Sequence, residues 1–216
     1  MLSSESNGKI HQEVLALSPS TFAIGPLPLI VEPKDLHASS TASLIEWVEG
    51  NSKWLDGKLL IHGGILLRGF AVYESAEFQQ VAQSLIPELK PYVEGQSPWT
   101  KVLDKVYTSP GVFQHPETNE THWFNQANLW HVSNFEARRR EQLLRLCGEE
   151  NLPTHAYYGD GTPISDEELY EVRRVMWDNA IAFRWERGDV LLLDNYLVAH
   201  GRNPYEGPRK ILVAMG

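Results

Sequence analysis

Three observations predict an α+β chain, mainly β with flanking helices. Apolar strand-like runs occur at Val190–Leu193 and at residues 211–215, and a third, residues 64–70, is bounded by glycines. Helical periodicity is confined to the segments before and between these runs, which places helices outside a strand core. No Gly-rich phosphate loop follows any strand, so nucleotide binding through a P-loop or Rossmann turn is excluded. An antiparallel β core under a helical layer is favoured over a βαβ sheet.

Taken in order, residues 1–40 are rich in Ser, Pro and small side chains, with Pro26, Pro28 and Pro33 interrupting any regular pattern. They read as a flexible start followed by an extended segment. Residues 43–50 predict a short helix whose apolar members are Leu44, Ile45, Trp47 and Val48. His62 opens the glycine-bounded strand. Ser75 precedes a helix over residues 76–86 that stops before Pro87, with half a capping box in Ser75 and Phe78. Residues 87–120 read as loop, and residues 121–125 alternate around Trp123 as a strand.

Residues 135–147 form an amphipathic helix with Phe135, Leu143, Leu144 and Cys147 inward and Arg138, Arg139 and Arg140 outward. Ser165-Asp-Glu-Glu168 is a full capping box opening a helix to about Trp177, with acids in the first turn to match the helix dipole. Residues 181–184, Val190–Leu193 and residues 211–215 finish the chain as strands.

Composition bounds the function. The 216 residues suffice for one substantial core, and 42% hydrophobic with 22% charged residues is ordinary for a globular protein. A net charge of −9 argues against a nucleic-acid surface. No apolar run reaches the length needed to span a bilayer, and no signal-peptide pattern is present. The single Cys147 forms no internal disulfide, which fits a reducing cytoplasm.

Two residue types in the closing segment carry chemistry. His200 stands beyond a strand end and Arg209 at the start of the next, suiting a metal ligand beside an anion anchor. His115-Pro-Glu117 has the His-x-Glu spacing, yet Pro116 cannot donate to a ladder, and the reading as a hairpin turn with exposed polar residues stands beside it. The other histidines read as hydrogen-bonded core or rim residues. Among them His131 lies near Asn125, Gln126 and Asn128, which suit a substrate pocket. Asp194 has the spacing to orient His200. No Gly-x-Ser-x-Gly or His-Glu-x-x-His supports a serine or zinc hydrolase.

Several phrases together resemble the TauD/TfdA family of Fe(II)- and 2-oxoglutarate-dependent dioxygenases, in the branch similar to syringomycin-biosynthesis hydroxylases. They are His62-Gly-Gly-Ile-Leu-Leu-Arg-Gly-Phe70, Tyr92-Val-Glu-Gly95 through Tyr107-Thr-Ser109, His115-Pro-Glu-Thr through Trp123-Phe-Asn-Gln126, Tyr157-Tyr-Gly-Asp-Gly-Thr-Pro163 and the closing segment. The resemblance implies a double-stranded β-helix (jelly roll) with iron at its mouth, held by a His-x-Asp/Glu pair and a distal histidine. Carried over, His200 is the distal iron ligand and Arg209 the 2-oxoglutarate anchor, with Lys210 a weaker candidate beside it. His115 and Glu117 are the substitutes for the missing pair.

In such relatives the His-x-Asp/Glu pair follows the counterpart of Tyr107-Thr-Ser109. Here Pro110-Gly-Val-Phe-Gln-His-Pro follows instead, so an internal deletion near 109–110 is expected. On the order of a hundred residues are absent, enough for several strands. The domain expectation is a segment 1–40 and an oxygenase domain 41–216 with an incomplete barrel. The resemblance implies an oxidoreductase hydroxylating a small or carrier-tethered amino-acid-like substrate. The alternative is an inactive remnant or binding protein of that family. An incomplete barrel exposes edges and apolar faces, so a homo-oligomer covering the gap is a further expectation.

Overall fold

The computed structural model describes residues 10–13, 28–90, 110–201 and 203–216. The elements in chain order are β1 (Ile10–Glu13), β2 (Leu29–Pro33), α1 (Thr41–Gly50), α2 (Ser52–His62), β3 (Gly64–Leu67), α3 (Ser75–Leu85), β4 (Val112–Gln114), β5 (Thr121–Trp123), α4 (Ala127–Trp130), α5 (Ala137–Cys147), α6 (Asp166–Asp178) and β6 (Val190–Leu193). They group into two units, Met1–Val93 with Ile181–Gly216, and Glu94–Ala180. The expected junction at 109–110 and the phrases from Tyr92 to Ser109 fall at least partly outside the described residues.

The first unit is built on a four-stranded sheet in the order β1-β2-β3-β6. In the segment expected to be merely extended, Leu29, Ile30 and Val31 are buried, because an apolar, β-branched run fits a pleated sheet interior. Pro33 sits at the strand end, where a missing N–H costs little. The Asp35 carboxylate accepts from the His37 and Ala38 amides, and Ser40 caps α1 through the Ser43 amide. After α2 comes Gly63 at φ 65°, a left-handed cap that turns the chain into β3. Leu29 and Val31 from β2 and Ile65 and Leu67 from β3 pack with Leu44, Val48 and Val81 of the helices. Each such fully buried side chain contributes on the order of 2 kcal/mol.

Several expectations need correction here. β2 and β3 are parallel, with α1 and α2 forming the crossover, so the sheet is mixed rather than antiparallel. His62 ends α2 instead of opening a strand. The cap of α3 is Glu74, with Glu77 accepting from the Tyr73 and Glu74 amides, rather than Ser75.

Residues 181–184 and 211–215 form no strand, and helix outweighs strand among the described residues. At residue 184 the backbone carbonyl accepts from the Arg68 side chain, and among the described residues 211–215 bridge only through Met215, to Lys90. The described strands form this sheet and one hairpin, and no closed barrel is present among the described residues.

The second unit holds the β4–β5 hairpin, α4, α5 and α6. All of β4 is exposed, and of β5 only His122 is half-buried. The predicted capping box at the start of α6 is present: Ser165 accepts from the Glu168 amide, and Glu168 accepts from the Ser165 amide. Within this unit the described buried residues are Val132, Leu169, His115, Asn128 and His131. Among the described residues its interior is therefore more polar than apolar. No described helix is long and apolar enough to cross a membrane.

Candidate functional site

The three C-terminal candidates lie in the first unit. Beyond β6, the Asp194 carboxylate accepts from the Tyr196 and Leu197 amides at 2.9 and 3.3 Å, so it shapes a turn. That turn brings Val198 over Gly63, where a side chain on Gly63 would collide with the Val198 methyl group. Two residues further, His200 is exposed and makes no hydrogen bond or ion pair among the described residues.

Arg209 is half-buried, with its guanidinium 5.0 Å from the ring centroid of Tyr205. Stacking covers one guanidinium face and leaves the N–H edge for an in-plane acceptor, since Arg209 makes no hydrogen bond among the described residues. Lys210 is committed differently: its Nζ donates to Ser75 Oγ at 2.6 Å. A groove of about 290 Å³ runs beside this pair, with Phe78, Ala82, Lys90 and Leu212 in its walls.

His115 and Glu117 lie in the second unit, in the turn that joins β4 to β5. The His115 amide donates to the Glu120 carbonyl, and the Asn119 amide to the His115 carbonyl. His115 Nδ1 accepts from the Glu117 and Thr118 amides at 3.2 and 3.1 Å. The hairpin-turn reading holds in backbone terms, with one correction: His115 is 2% exposed, buried because its ring caps the turn from inside. Glu117 is exposed. Among the described residues, no three His, Cys, Asp or Glu side chains come together to hold a metal.

Two constellations were not legible in the sequence. In the first unit Arg68 grips Asp189, with Nε to Oδ1 at 3.1 Å and Nη2 to Oδ2 at 2.7 Å. Nη2 also reaches the Arg184 carbonyl at 2.7 Å, and Glu186 lies 3.4 Å from Nη1. Asp189 is 1% exposed in its side chain, so the pair is desolvated and fixes the start of β6. Hydrogen bonding to Asp189 outweighs burial and raises the guanidinium pKa above its ordinary value.

The second is a polar cluster in the other unit. His131 and His155 stack with ring centroids 4.2 Å apart, and Tyr157 stands edge-on to His155 at 4.6 Å. Both histidines, with Arg140, Leu144, Glu149 and Asp166, line a cavity of about 300 Å³. Burial, then the neighbouring His155 and the arginines, pushes the His131 pKa down to about 4 against the pull of Asp166; burial also lowers that of His155.

Arg140 therefore does not face out with its neighbours, because it pairs with Asp166 at the cavity wall. Asn125, Gln126 and Asn128 do not join the cavity walls. Asn125 accepts from the Ala127 amide, and the buried Asn128 donates to the Met176 sulfur at 3.3 Å.

Comparison with known proteins adds three findings. The family described as "Taurine catabolism dioxygenase TauD, TfdA family" matches residues 99–215. The dapdiamide synthesis protein DdaC of Enterobacter agglomerans is 43% identical over 102 residues, 47% of this chain and 31% of that protein. A clavaminate synthase-like protein of Arabidopsis thaliana is 38% identical over 58 residues, 27% of this chain and 18% of its own. The chain thus spans less than a third of the length of either relative.

Proposed function

Since the chain belongs to the taurine catabolism dioxygenase (TauD, TfdA) family, we propose an Fe(II)- and 2-oxoglutarate-dependent dioxygenase type of oxidoreductase, with Arg209 as co-substrate anchor and His200 as distal iron ligand. The observation that carries this reading is Arg209: half-buried, stacked on Tyr205, its hydrogen-bonding edge uncommitted, nine residues beyond an exposed histidine. A guanidinium so held binds a carboxylate in a fixed direction. Lys210, tied to Ser75, is the secondary candidate.

The described residues do not fit a complete iron site. A facial triad needs two further protein ligands, and the His-x-Glu string from His115 to Glu117 sits in a turn with the His115 Nδ1 lone pair already engaged. Two readings follow. In the first, the mixed sheet is part of a double-stranded β-helix, and the other ligands come from residues outside those described or from a second copy. Similarity to a dapdiamide synthesis protein supports a small or carrier-tethered amino-acid-like substrate, and one cysteine in 216 residues supports a reducing cytoplasm. In the second, the chain is a metal-free remnant or binding protein of the family, which the absence of any three-ligand cluster among the described residues favours.

Anaerobic titration with Fe(II) and 2-oxoglutarate separates them. The oxygenase reading expects a weak visible charge-transfer band that His200→Ala abolishes, and calorimetric binding of 2-oxoglutarate that Arg209→Ala weakens by about tenfold or more. No band, and 2-oxoglutarate consumption at the level without protein, would leave the remnant.

A further inference from the structure

His131 and His155 each use a ring nitrogen to hold backbone. His131 Nδ1 accepts from the Ser133 amide at 3.2 Å, and His155 Nδ1 accepts from the Val132 amide at 3.3 Å. The two amides are adjacent, and they open the 3-10 turn Val132–Asn134 that joins α4 to α5. Ser133 Oγ accepts from Arg173 Nη2 at 2.9 Å and stands 2.8 Å from His131 Nδ1. A nitrogen that accepts from N–H groups carries no proton, so both neutral rings have theirs on Nε2. The tautomer disfavours metal binding through Nε2 and leaves one chemical event for the pair, a proton arriving on Nδ1.

We infer that the His131–His155 pair is a proton-operated latch on the turn Val132–Asn134: each unprotonated Nδ1 holds one amide of the turn, and protonation of either nitrogen releases it. The inference is independent of any iron or 2-oxoglutarate chemistry. The charges facing the pair come from every element around it. Arg140 on α5 and Arg173 on α6 oppose a further positive charge, whereas Asp166 at the start of α6 and Glu149 in the turn Glu149–Asn151 favour it. Asp166 Oδ1 is 3.9 Å from His131 Nδ1, and Glu149 Oε1 is 3.7 Å from His155 Nε2. Asp166 is itself bonded to Arg140, which reduces its power to compensate.

Release of Val132 loosens one of the two buried apolar side chains described in this unit. The Arg173 bond to the Asn128 carbonyl in α4, at 2.9 Å, does not pass through either histidine. The sign of the pH response follows from the His131 value. The closed turn binds a proton there only near pH 4, whereas the opened turn binds one near the ordinary 6.5. Closure is therefore fully favoured above pH 6.5 and weakens as pH falls toward 4, by about tenfold per pH unit for one linked proton.

Amide hydrogen exchange on the full chain, corrected for intrinsic rates, tests the latch, with nitrogen NMR of the imidazoles reading the tautomer. Protection at Val132 and Ser133 is expected to fall from pH 6.5 to 4 while interior amides of α6 keep theirs, and both rings should show protonated Nε2 at neutral pH. His131→Asn offers an oxygen at the position of Nδ1 and should hold the Ser133 amide without the pH response. Should that variant fail to fold, the wild-type titration alone decides. A Nδ1-protonated tautomer at pH 7, unchanged protection at the two amides, or a parallel loss across α6 would each overturn the latch.

Discussion

Arg68 follows a strand of four buried residues, and its charge is stabilised there chiefly by Asp189, which meets it edge to edge. Asp189→Ala removes both acceptors and leaves a guanidinium in a largely desolvated pocket. The cost is expected to be about 3 kcal/mol, read as a lower urea midpoint with unchanged m-value. A change below about 0.5 kcal/mol would place the pair among weak surface bridges. Sequence shows Arg68 as the charged end of an apolar run but cannot show its partner, because pairing across residues 68–189 is set by strand register. The same holds for His131 and His155. The sequence reads them as hydrogen-bonded core or rim residues; in the structure His131 is buried, His155 half-buried, and the two rings are in contact. His200 and Arg209 stand out in the sequence because the closing segment is a long local phrase; whether iron ligands converge on it is a long-range property.

At the scale of elements, signals written into adjacent residues read correctly. The Ser165–Glu168 capping box needed no tertiary information, and the helix expected over residues 135–147 forms over Ala137–Cys147, with Phe135 before its start and none of its residues fully buried. Ser165→Ala is expected to cost about 1 kcal/mol, with loss of helical circular dichroism on heating at a lower temperature. An unchanged melting temperature would mean that the Glu168 carboxylate carries the cap alone.

Elements that depend on a neighbour read badly. The three residues of β4 pair with β5 and are too few to show alternation. α2 carries a weak sequence signal because Gly57 interrupts it and Leu55 is its one buried residue. Residues 211–215 carry a strand's composition, yet among the described residues only Met215 makes a bridge, to Lys90. β-propensity describes fitness for a sheet surface, and a surface must exist before it acts.

For the whole molecule the two units differ in what holds them. The first has a contiguous apolar core; the second has Val132 and Leu169 among hydrogen-bonded polar groups. Amides in α6 are therefore expected to exchange through smaller openings than those of β3, and equal protection in both would contradict this. Val112, Phe113, Trp123, Leu129 and Trp130 are all exposed, a density of apolar surface that favours self-association. Sedimentation is expected to show dimers or larger species at micromolar concentration. A monomer throughout would remove the homo-oligomer reading.

The β3–β6 ladder has a temporal consequence. Gly64 pairs with Leu193 and Leu67 with Val190, so the whole of residues 68–189 must be made before one side of β3 finds its mate. During synthesis on the ribosome a strand of Gly-Ile-Leu-Leu waits with open backbone donors and acceptors, the kind of template that misfolding recruits. Closure across such a loop is slow by topology, so the yield of folded chain should depend on chaperone supply and on growth temperature.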